Sequence, residues 1–270
     1  MMSLSPSVRL HLVPLASLST ENTLLFPMDR APLDELIAWT PVGDGTKRVQ
    51  VMLDGKLREH KKIYHMLRWP YARTILENCE LRLYRVDSWD DRYEKRWQSR
   101  LFSSQLPSSG IQAYALCWTT RTFDEPFWRV AGFGHNHPIV RIRCSVKGIL
   151  NSILRSRLDR CAHVFLGKVE YLREKELDAL AARAKSESFD RLQPIANLLL
   201  HKRNAFRFES EVRLLWLEYG PSVEFISLPV VPKSVISQVM ISPYAKQHDR
   251  ERIMTVVKER GIPCLRSMVL

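Results

Sequence analysis

The sequence has no Cys-x-x-Cys pair, no Gly-x-Gly-x-x-Gly or P-loop fingerprint, and no apolar run near the roughly 18–20 residues that a membrane-spanning helix requires. Its five cysteines, Cys79, Cys117, Cys144, Cys161 and Cys264, are odd in number and widely spaced. That argues against a disulfide framework or a zinc ribbon and for a reducing compartment. Lacking a glycine-rich phosphate cradle, the chain must hold any nucleotide through side chains rather than backbone amides. The opening "MMSLSPSVRLHLVPLASLST" has no basic start and is broken by Pro6 and Pro14, so no signal peptide is expected and the protein is placed in the cytoplasm, with no membrane partner. Acid is scarce as well: 29 Asp and Glu stand against 41 Lys and Arg, a formal charge of +12. Such an excess goes beyond what solubility needs and suits a polyanionic partner.

What is present is ordinary globular texture, with 45% hydrophobic and 26% charged residues. Residues 1–45, rich in Ser, Pro and Thr, read as an irregular N-terminal arm with one short helix at "LDELIAW". From "KRVQVML" onward no linker is long enough to force a boundary, so residues 46–270 are expected to form a single α+β domain. Short runs rich in β-branched and aromatic residues predict strands at "RVQVML", "LRLYRV", "QAYALCWTT", "IVRIRC", "VFLGKVEYL", "EVRLLWLEY", "VEFISL", "SQVMIS" and "PCLRSMVL". Helical spacing marks "LREKELDALAARAK" and "AKQHDRERIMTVVKERG", the second stopping at Gly261, which suits a left-handed position after a helix. Helices and strands do not alternate strictly, which predicts a mixed, mainly antiparallel sheet flanked by helices rather than a doubly wound parallel one.

Charge concentrates in two places. Residues 140–168 carry seven Lys or Arg against one acid, Asp159, and a helical face of Ile149, Leu150, Ile153, Leu154 and Leu158 turns Arg155, Arg157 and Arg160 toward water. These three arginines, with Lys202 and Arg203, are the candidate contacts for a nucleic-acid backbone. The second place is "FRFESEVRLLW", residues 206–216. On a strand, a period of two puts Glu209, Glu211 and Arg213 on one face, with alternate Cβ atoms about 7 Å apart, so two carboxylates can serve one bound molecule. The same pattern also describes a solvated face with an arginine partner. Lys202, Arg203, Arg207, Phe206 and Phe208 close by favour an anionic, planar ligand. Upstream, "IYHMLRW" holds Tyr64 and His65 on an expected strand, "LCWTT" ends a second strand in Trp118, Thr119 and Thr120, and "PFWRVAG" reads as a loop with Trp128 and Gly132.

Taken together, "IYHMLRW", "ARTILENCELRLYRV", "WDDRYE", "LCWTT", "PFWRVAG", "KVEYL" and "FESEVR" resemble, in that order, a bacterial family known as domain of unknown function 2971, over roughly residues 60–260. Two positions depart from its pattern: Arg92 stands for a proline, and Gly132 lies near the place of a tyrosine. The order of parts also looks like the ADP-ribosyltransferase fold, a split-sheet α+β architecture. That resemblance implies NAD as substrate, Glu211 as the catalytic acid, Glu209 orienting or deprotonating the nucleophile, and His65 on the ribose or phosphates. Tyr64, Trp118, Thr119, Thr120, Trp128 and Arg213 would then line the dinucleotide pocket, with Arg85, Arg121 and Arg129 holding the pyrophosphate. It implies a toxin or antiphage effector without a resident metal, with an antitoxin or chaperone as a further partner; the basic charge points to RNA or DNA as acceptor, though a basic protein could equally modify an acidic protein.

Two other readings share these residues. Asp90, Asp91, Glu94, Glu209 and Glu211 could supply oxygen ligands to magnesium in a nuclease. Alternatively, Glu209, Glu211 and Arg213 are structural ion pairs in a non-catalytic nucleic-acid-binding module.

Overall fold

Along Glu211–Tyr219, Val212, Leu214 and Trp216 pack into one apolar cluster while Leu215 and Leu217 pack into another. Both faces of this strand are therefore covered, the condition for a sheet sandwiched between helical layers. The computed structural model describes residues 35–42, 47–57, 62–89, 94, 110–122, 125–132, 134, 136–156, 162–186 and 192–267. In chain order the elements are β1 (Glu35–Val42), β2 (Lys47–Leu53), β3 (Lys62–Arg68), α1 (Trp69–Asn78), β4 (Glu80–Arg85), β5 (Ile111–Thr119), α2 (Glu125–Gly132), β6 (Ile139–Ser145) and α3 (Val146–Arg155). Then come β7 (Ala162–Lys168), β8 (Glu170–Leu172), α4 (Glu174–Ser186), α5 (Leu192–Leu199), β9 (His201–Arg203) and a 3-10 turn (Asn204–Glu209). The chain closes with β10 (Glu211–Tyr219), β11 (Phe225–Pro229), α6 (Pro232–Val235), β12 (Ile236–Ile241), α7 (Gln247–Glu259) and β13 (Cys264–Arg266).

Eleven strands form one sheet in the order β1-β2-β7-β10-β5-β3-β6-β12-β13, with β4 and β11 branching from β5. Only β2–β7 and β12–β13 are parallel among its pairs. The fold is thus the mixed, mainly antiparallel α+β arrangement that the sequence predicts. Its split takes the form of a fork at β5: β3 joins through the single pair Tyr64↔Thr119, whereas β4 joins further along, at Tyr114 and Ala115.

One face of the sheet carries α1, α3 and α7, which bury Trp69 and Leu76, Ile149 and Ile153, and Ile253 and Val257 against Ile63, Trp118, Ile142 and Val212. Helix α3 starts where the Ser145 hydroxyl accepts from Gly148 N at 3.2 Å. A Cβ on Gly148 would lie 2.3 Å from Ser234 O, so glycine is what lets α3 lie against α6. Helix α7 gives way at Gly261, φ +65°, as its sequence predicts. The opposite face is covered by α4 and α5 over Phe165, Leu215 and Leu217. Further along the same face, Trp128 of α2 packs on Ile139 and Met240.

Three local expectations change. The segment expected to carry a short helix at "LDELIAW" contributes strand β1, whose Trp39, Thr40 and Val42 suit pairing with β2, with Ile37 at a register shift; residues 1–34 and 43–45 of the expected arm lie outside the described residues. The tryptophan loop "PFWRVAG" is helix α2, with Pro126 in its first turn, where its missing N–H costs nothing. The run "VFLGKVEYL" breaks at Val169 into β7 of the main sheet and β8, which pairs only with β9. No helix among the described residues is long and apolar enough to cross a membrane.

Candidate active site

The pairing register brings three residues of the predicted site into one row. Glu211 lies opposite Thr119, and Thr119 opposite Tyr64. Directly paired residues project to the same side of a sheet. Tyr64, Thr119 and Glu211 therefore share the face that also carries Arg213, Cys117 and Arg141, between the α4–α5 roof and α2.

Glu211 anchors a buried ionic cluster. Arg213, 1% exposed, donates from Nε to Glu211 Oε1 at 2.9 Å and from Nη2 to Glu211 Oε2 at 3.0 Å. Its remaining donors reach Leu199 O at 2.6 Å and Glu94 Oε1 at 2.5 Å, and its guanidinium lies 4.3 Å from the Trp89 ring centre. Lys202 Nζ stands 2.8 Å from Glu209 Oε2 and 3.4 Å from Glu211 Oε2. Backbone contacts fix the strand end: Glu211 N donates to Tyr171 Oη at 2.8 Å, and Val169 N to Glu211 O at 2.9 Å.

These surroundings set the two acids apart. Burial alone would raise the Glu211 carboxyl, but Arg213 and Lys202 outweigh it and hold it down at about 2. For Glu209 burial prevails over Lys202, and its carboxyl is pushed up from its ordinary value. Burial disfavours the Lys202 ammonium, yet Glu211 and Glu94 more than compensate and keep it charged. Cys117, opposite Arg213, is pushed well above the ordinary thiol range by burial and by Glu211, which keeps it neutral.

Glu209 joins the cluster by a route that strand periodicity does not describe. It ends the 3-10 turn, and Ser210, in the left-handed conformation at φ 45°, turns the chain into β10. The turn is tied to β5: Thr119 Oγ1 donates to Glu209 O at 2.6 Å, Thr120 N to Ser210 O at 3.0 Å, and Arg121 Nη1 to Phe208 O at 2.8 Å. Thr119, Arg121, Phe127, Trp128 and Arg141 line a narrow crevice beside the row, with a volume of about 10 Å³, room for about one water molecule.

Other predicted residues fall elsewhere. His65 is one position out of step with Tyr64 and so projects to the opposite face, where it pairs with Ile142 in register and meets Trp118 edge-on at 6.2 Å. Trp118 belongs to the apolar core behind the sheet and the half-buried His65 borders it, so neither joins the row. Arg85 lies opposite Tyr114, five residues down β5 from Thr119, and bonds Asp87 and Ser222. Trp128, 3% exposed, is largely packed on Ile139 and Met240 and contributes to the crevice only as part of its lining. Arg129 pairs with Glu125 at 3.0 Å on the outer side of α2, over Tyr244.

Of the residues assigned to a nucleic-acid backbone, Lys202 is turned inward onto Glu209 and Glu211, and Arg203 pairs with Glu174 at 3.4 Å and covers Phe206. Arg155 is exposed at the end of α3, across the sheet from the acids, on a cleft of about 440 Å³ shared with Asn151, Ser156 and Ser234. Arg157 and Arg160 lie outside the described residues, as do Asp90 and Asp91.

Two members of the site were passed over in the sequence. Arg141, whose guanidinium sits 4.9 Å from the Tyr64 ring centre, belongs to the basic run "VRIRC" but draws its place from the pairing of β3 with β6. Tyr171 is the tyrosine of "KVEYL" and was visible as a motif without a role.

The position of His65 gives a test of its own. Burial lowers its imidazole from the ordinary 6.5 to about 4, so the folded state binds fewer protons than the unfolded state in between. Stability then rises with pH across that window and is lost as pH falls from about 6.5 toward 4. His65→Phe is expected to flatten this part of the profile, read as denaturation midpoint against pH; an unchanged slope would contradict the buried, neutral ring.

No protein-family model matches the chain, and no curated protein matches it either. Among solved structures it is distantly similar to DarT from Thermus sp. 2.9. The complex with ADP-ribosylated ssDNA aligns at 14% identity, covering 77% of this chain and 94% of that one, with a TM-score of 0.37. The complex with NAD+ aligns at 13% identity, covering 77% and 96%, with a TM-score of 0.38.

Proposed function

We propose that this protein is an NAD-consuming ADP-ribosyltransferase that modifies nucleic acid, acting as a toxin or antiphage effector. The observation that carries the reading is the separation of two neighbouring carboxylates, Glu211 held ionised and Glu209 pushed up by burial. Environments that drive a pair of acids apart assign them different chemical tasks. In this reaction the bond between nicotinamide and ribose breaks, nicotinamide leaves with the bonding electrons, and positive charge develops at C1′. A permanently ionised carboxylate stabilises that charge, which is the part taken by Glu211. The acceptor's oxygen or nitrogen then attacks C1′ and loses its proton to a carboxylate of raised affinity, the part taken by Glu209.

The chemistry of the surrounding donors fits a dinucleotide. The Thr119 and Tyr64 hydroxyls suit ribose, and Arg121 and Arg141 suit the pyrophosphate. Lys202 holds Glu211 Oε2 at 3.4 Å, longer than either Arg213 contact, and is the partner that a sugar hydroxyl replaces. With a crevice of about 10 Å³, entry of the nicotinamide requires α2 and the 204–210 turn to part. The order of motifs shared with the ADP-ribosyltransferase fold supports the same assignment, and the charge of +12 supports a polyanionic acceptor.

A metal-dependent nuclease gains no support from the cluster, because Glu94, Glu209 and Glu211 each face Lys202 or Arg213. Magnesium would have to strip both cations away.

The deciding experiment incubates purified protein with NAD labelled on its adenylate phosphate, in the presence of DNA, RNA and cell protein, and separates the fractions. Label in a nucleic-acid fraction, together with free nicotinamide, is the expected result. Label in protein alone overturns the acceptor, and intact NAD overturns the reaction. Nucleic acid cut with magnesium and without NAD would favour the nuclease.

A further inference from the structure

Beside the acids, three phenylalanine rings collect where little apolar surface belongs. Phe208 is 49% exposed; its ring centre lies 6.1 Å from that of Phe127 at 54° and 6.4 Å from that of Phe206 at 33°. Neither neighbour stacks on it. Phe206 is occupied differently, with Lys202 Nζ 4.6 Å and the Arg203 guanidinium 5.2 Å from its ring centre. Arg121 and Arg207 are exposed beside Phe208 in the turn, Arg121 donating from Nη1 to Phe208 O and Arg207 preceding Phe208 in the chain. Buried in a core, such rings would need no cations near them; an exposed ring with the Arg121 guanidinium bonded to its own carbonyl and Arg207 next to it in the chain has the make-up of a surface that takes a flat base and the phosphate beside it.

We infer that Phe208, with Phe127, Arg121 and Arg207, forms a stacking platform for one unpaired base of a single-stranded nucleic acid. The inference rests on the transferase reading for its purpose but not for its chemistry. A base lying on Phe208 is delivered next to Glu209, whose backbone is bonded to Thr119, one rung across from Glu211. A duplex cannot use this surface, since its bases present edges rather than faces. The acceptor is therefore single-stranded, and the 3-10 turn selects it before chemistry begins. The exposed Arg155 on the far side of the sheet plays no part in this selection.

The test measures binding of fluorescent single-stranded DNA, single-stranded RNA and a duplex to the full chain without NAD, by anisotropy at fixed salt. Single strands of one or both kinds are expected to bind more tightly than the duplex. Phe208→Ala is expected to weaken them roughly tenfold and Phe208→Trp to restore them, as for other base–aromatic contacts. Equal binding of single strand and duplex overturns the platform, as does an unchanged affinity in Phe208→Ala. Transfer to protein that depends on Phe208 without any oligonucleotide binding assigns the face to a protein acceptor and overturns it too. NAD consumption in the same preparation separates the two claims: Phe208-dependent binding with intact NAD keeps the platform and sinks the transferase, while NAD turnover with Phe208-independent binding does the reverse.

Discussion

Glutamine at position 211 is expected to lower NAD cleavage by roughly a hundred- to a thousandfold, the usual loss when one electrostatic stabiliser of a transition state is removed. The amide oxygen can still accept one bond from Arg213, and Glu94 continues to balance that guanidinium, but the amide NH2 takes the place of the oxygen that accepts from a second donor, so the variant should lose about 3–5 kcal/mol and its fold is checked first by circular dichroism. Because the lost interaction strengthens as the glycosidic bond breaks, kcat and kcat/KM should fall together while KM changes little. Under the proposed assignment of Glu209 to the nucleophile, Glu209→Gln should instead slow transfer to the acceptor more than it slows release of nicotinamide. Normal NAD cleavage by a folded Glu211→Gln protein would end the assignment.

Arg213→Ala should act on stability rather than on chemistry alone. The side chain is 1% exposed and holds Glu211, Glu94 and a helix carbonyl at once. Removing one member of such a buried group leaves carboxylates without a counter-charge and costs about 3–5 kcal/mol, against a total of about 5–15 kcal/mol for a typical domain. The acid limb gives an independent measure. Glu211 is depressed from 4.5 to about 2 in the folded state, so its contribution is present above 4.5 and lost as pH falls toward 2. A depression of that size corresponds to roughly 3 kcal/mol, which agrees in scale. Urea denaturation from pH 7 to pH 2 should show this limb in the wild type and a flatter one in Arg213→Ala. Arg213→Lys, which keeps the charge and loses the forked geometry, should fall between them. A variant as stable as the wild type would mean that the network contributes nothing net.

The sequence revealed the pieces of the site better than their assembly. Glu211 and Arg213 were legible because a strand repeats every two residues, and β10 obeys that rule along its whole length. Glu209 reached the same cluster for a different reason, a left-handed Ser210 that periodicity cannot predict. His65 was displaced by a single residue: which of Tyr64 and His65 shares the face of Glu211 is decided by the pairing of β3 with β5, and that register is a property of partners far apart in the chain. Lys202 looked like a surface cation because its sequence neighbours are charged, yet its strand pairs Tyr171 with Lys202 and aims the ammonium at the acids. Helix α2 was hidden by Pro126, which marks a helix start as readily as a loop.

The lone rung between Tyr64 and Thr119 has a mechanical meaning. Elsewhere a ladder of backbone bonds joins two strands, but at this seam the backbone supplies one step, at about 0.5–1.5 kcal/mol per bond, and the apolar cluster that runs from Ile63 to Trp118 and Val212 under α1, α3 and α7 supplies the rest. The arm made of β3, β6, β12 and β13 thus meets the rest of the sheet mainly through packed side chains, and its one backbone step lies within the row of hydroxyl and carboxylate groups. Among the described strand pairs the backbone is thus most sparsely joined beside the candidate site, whose order depends there on side-chain packing rather than on a ladder.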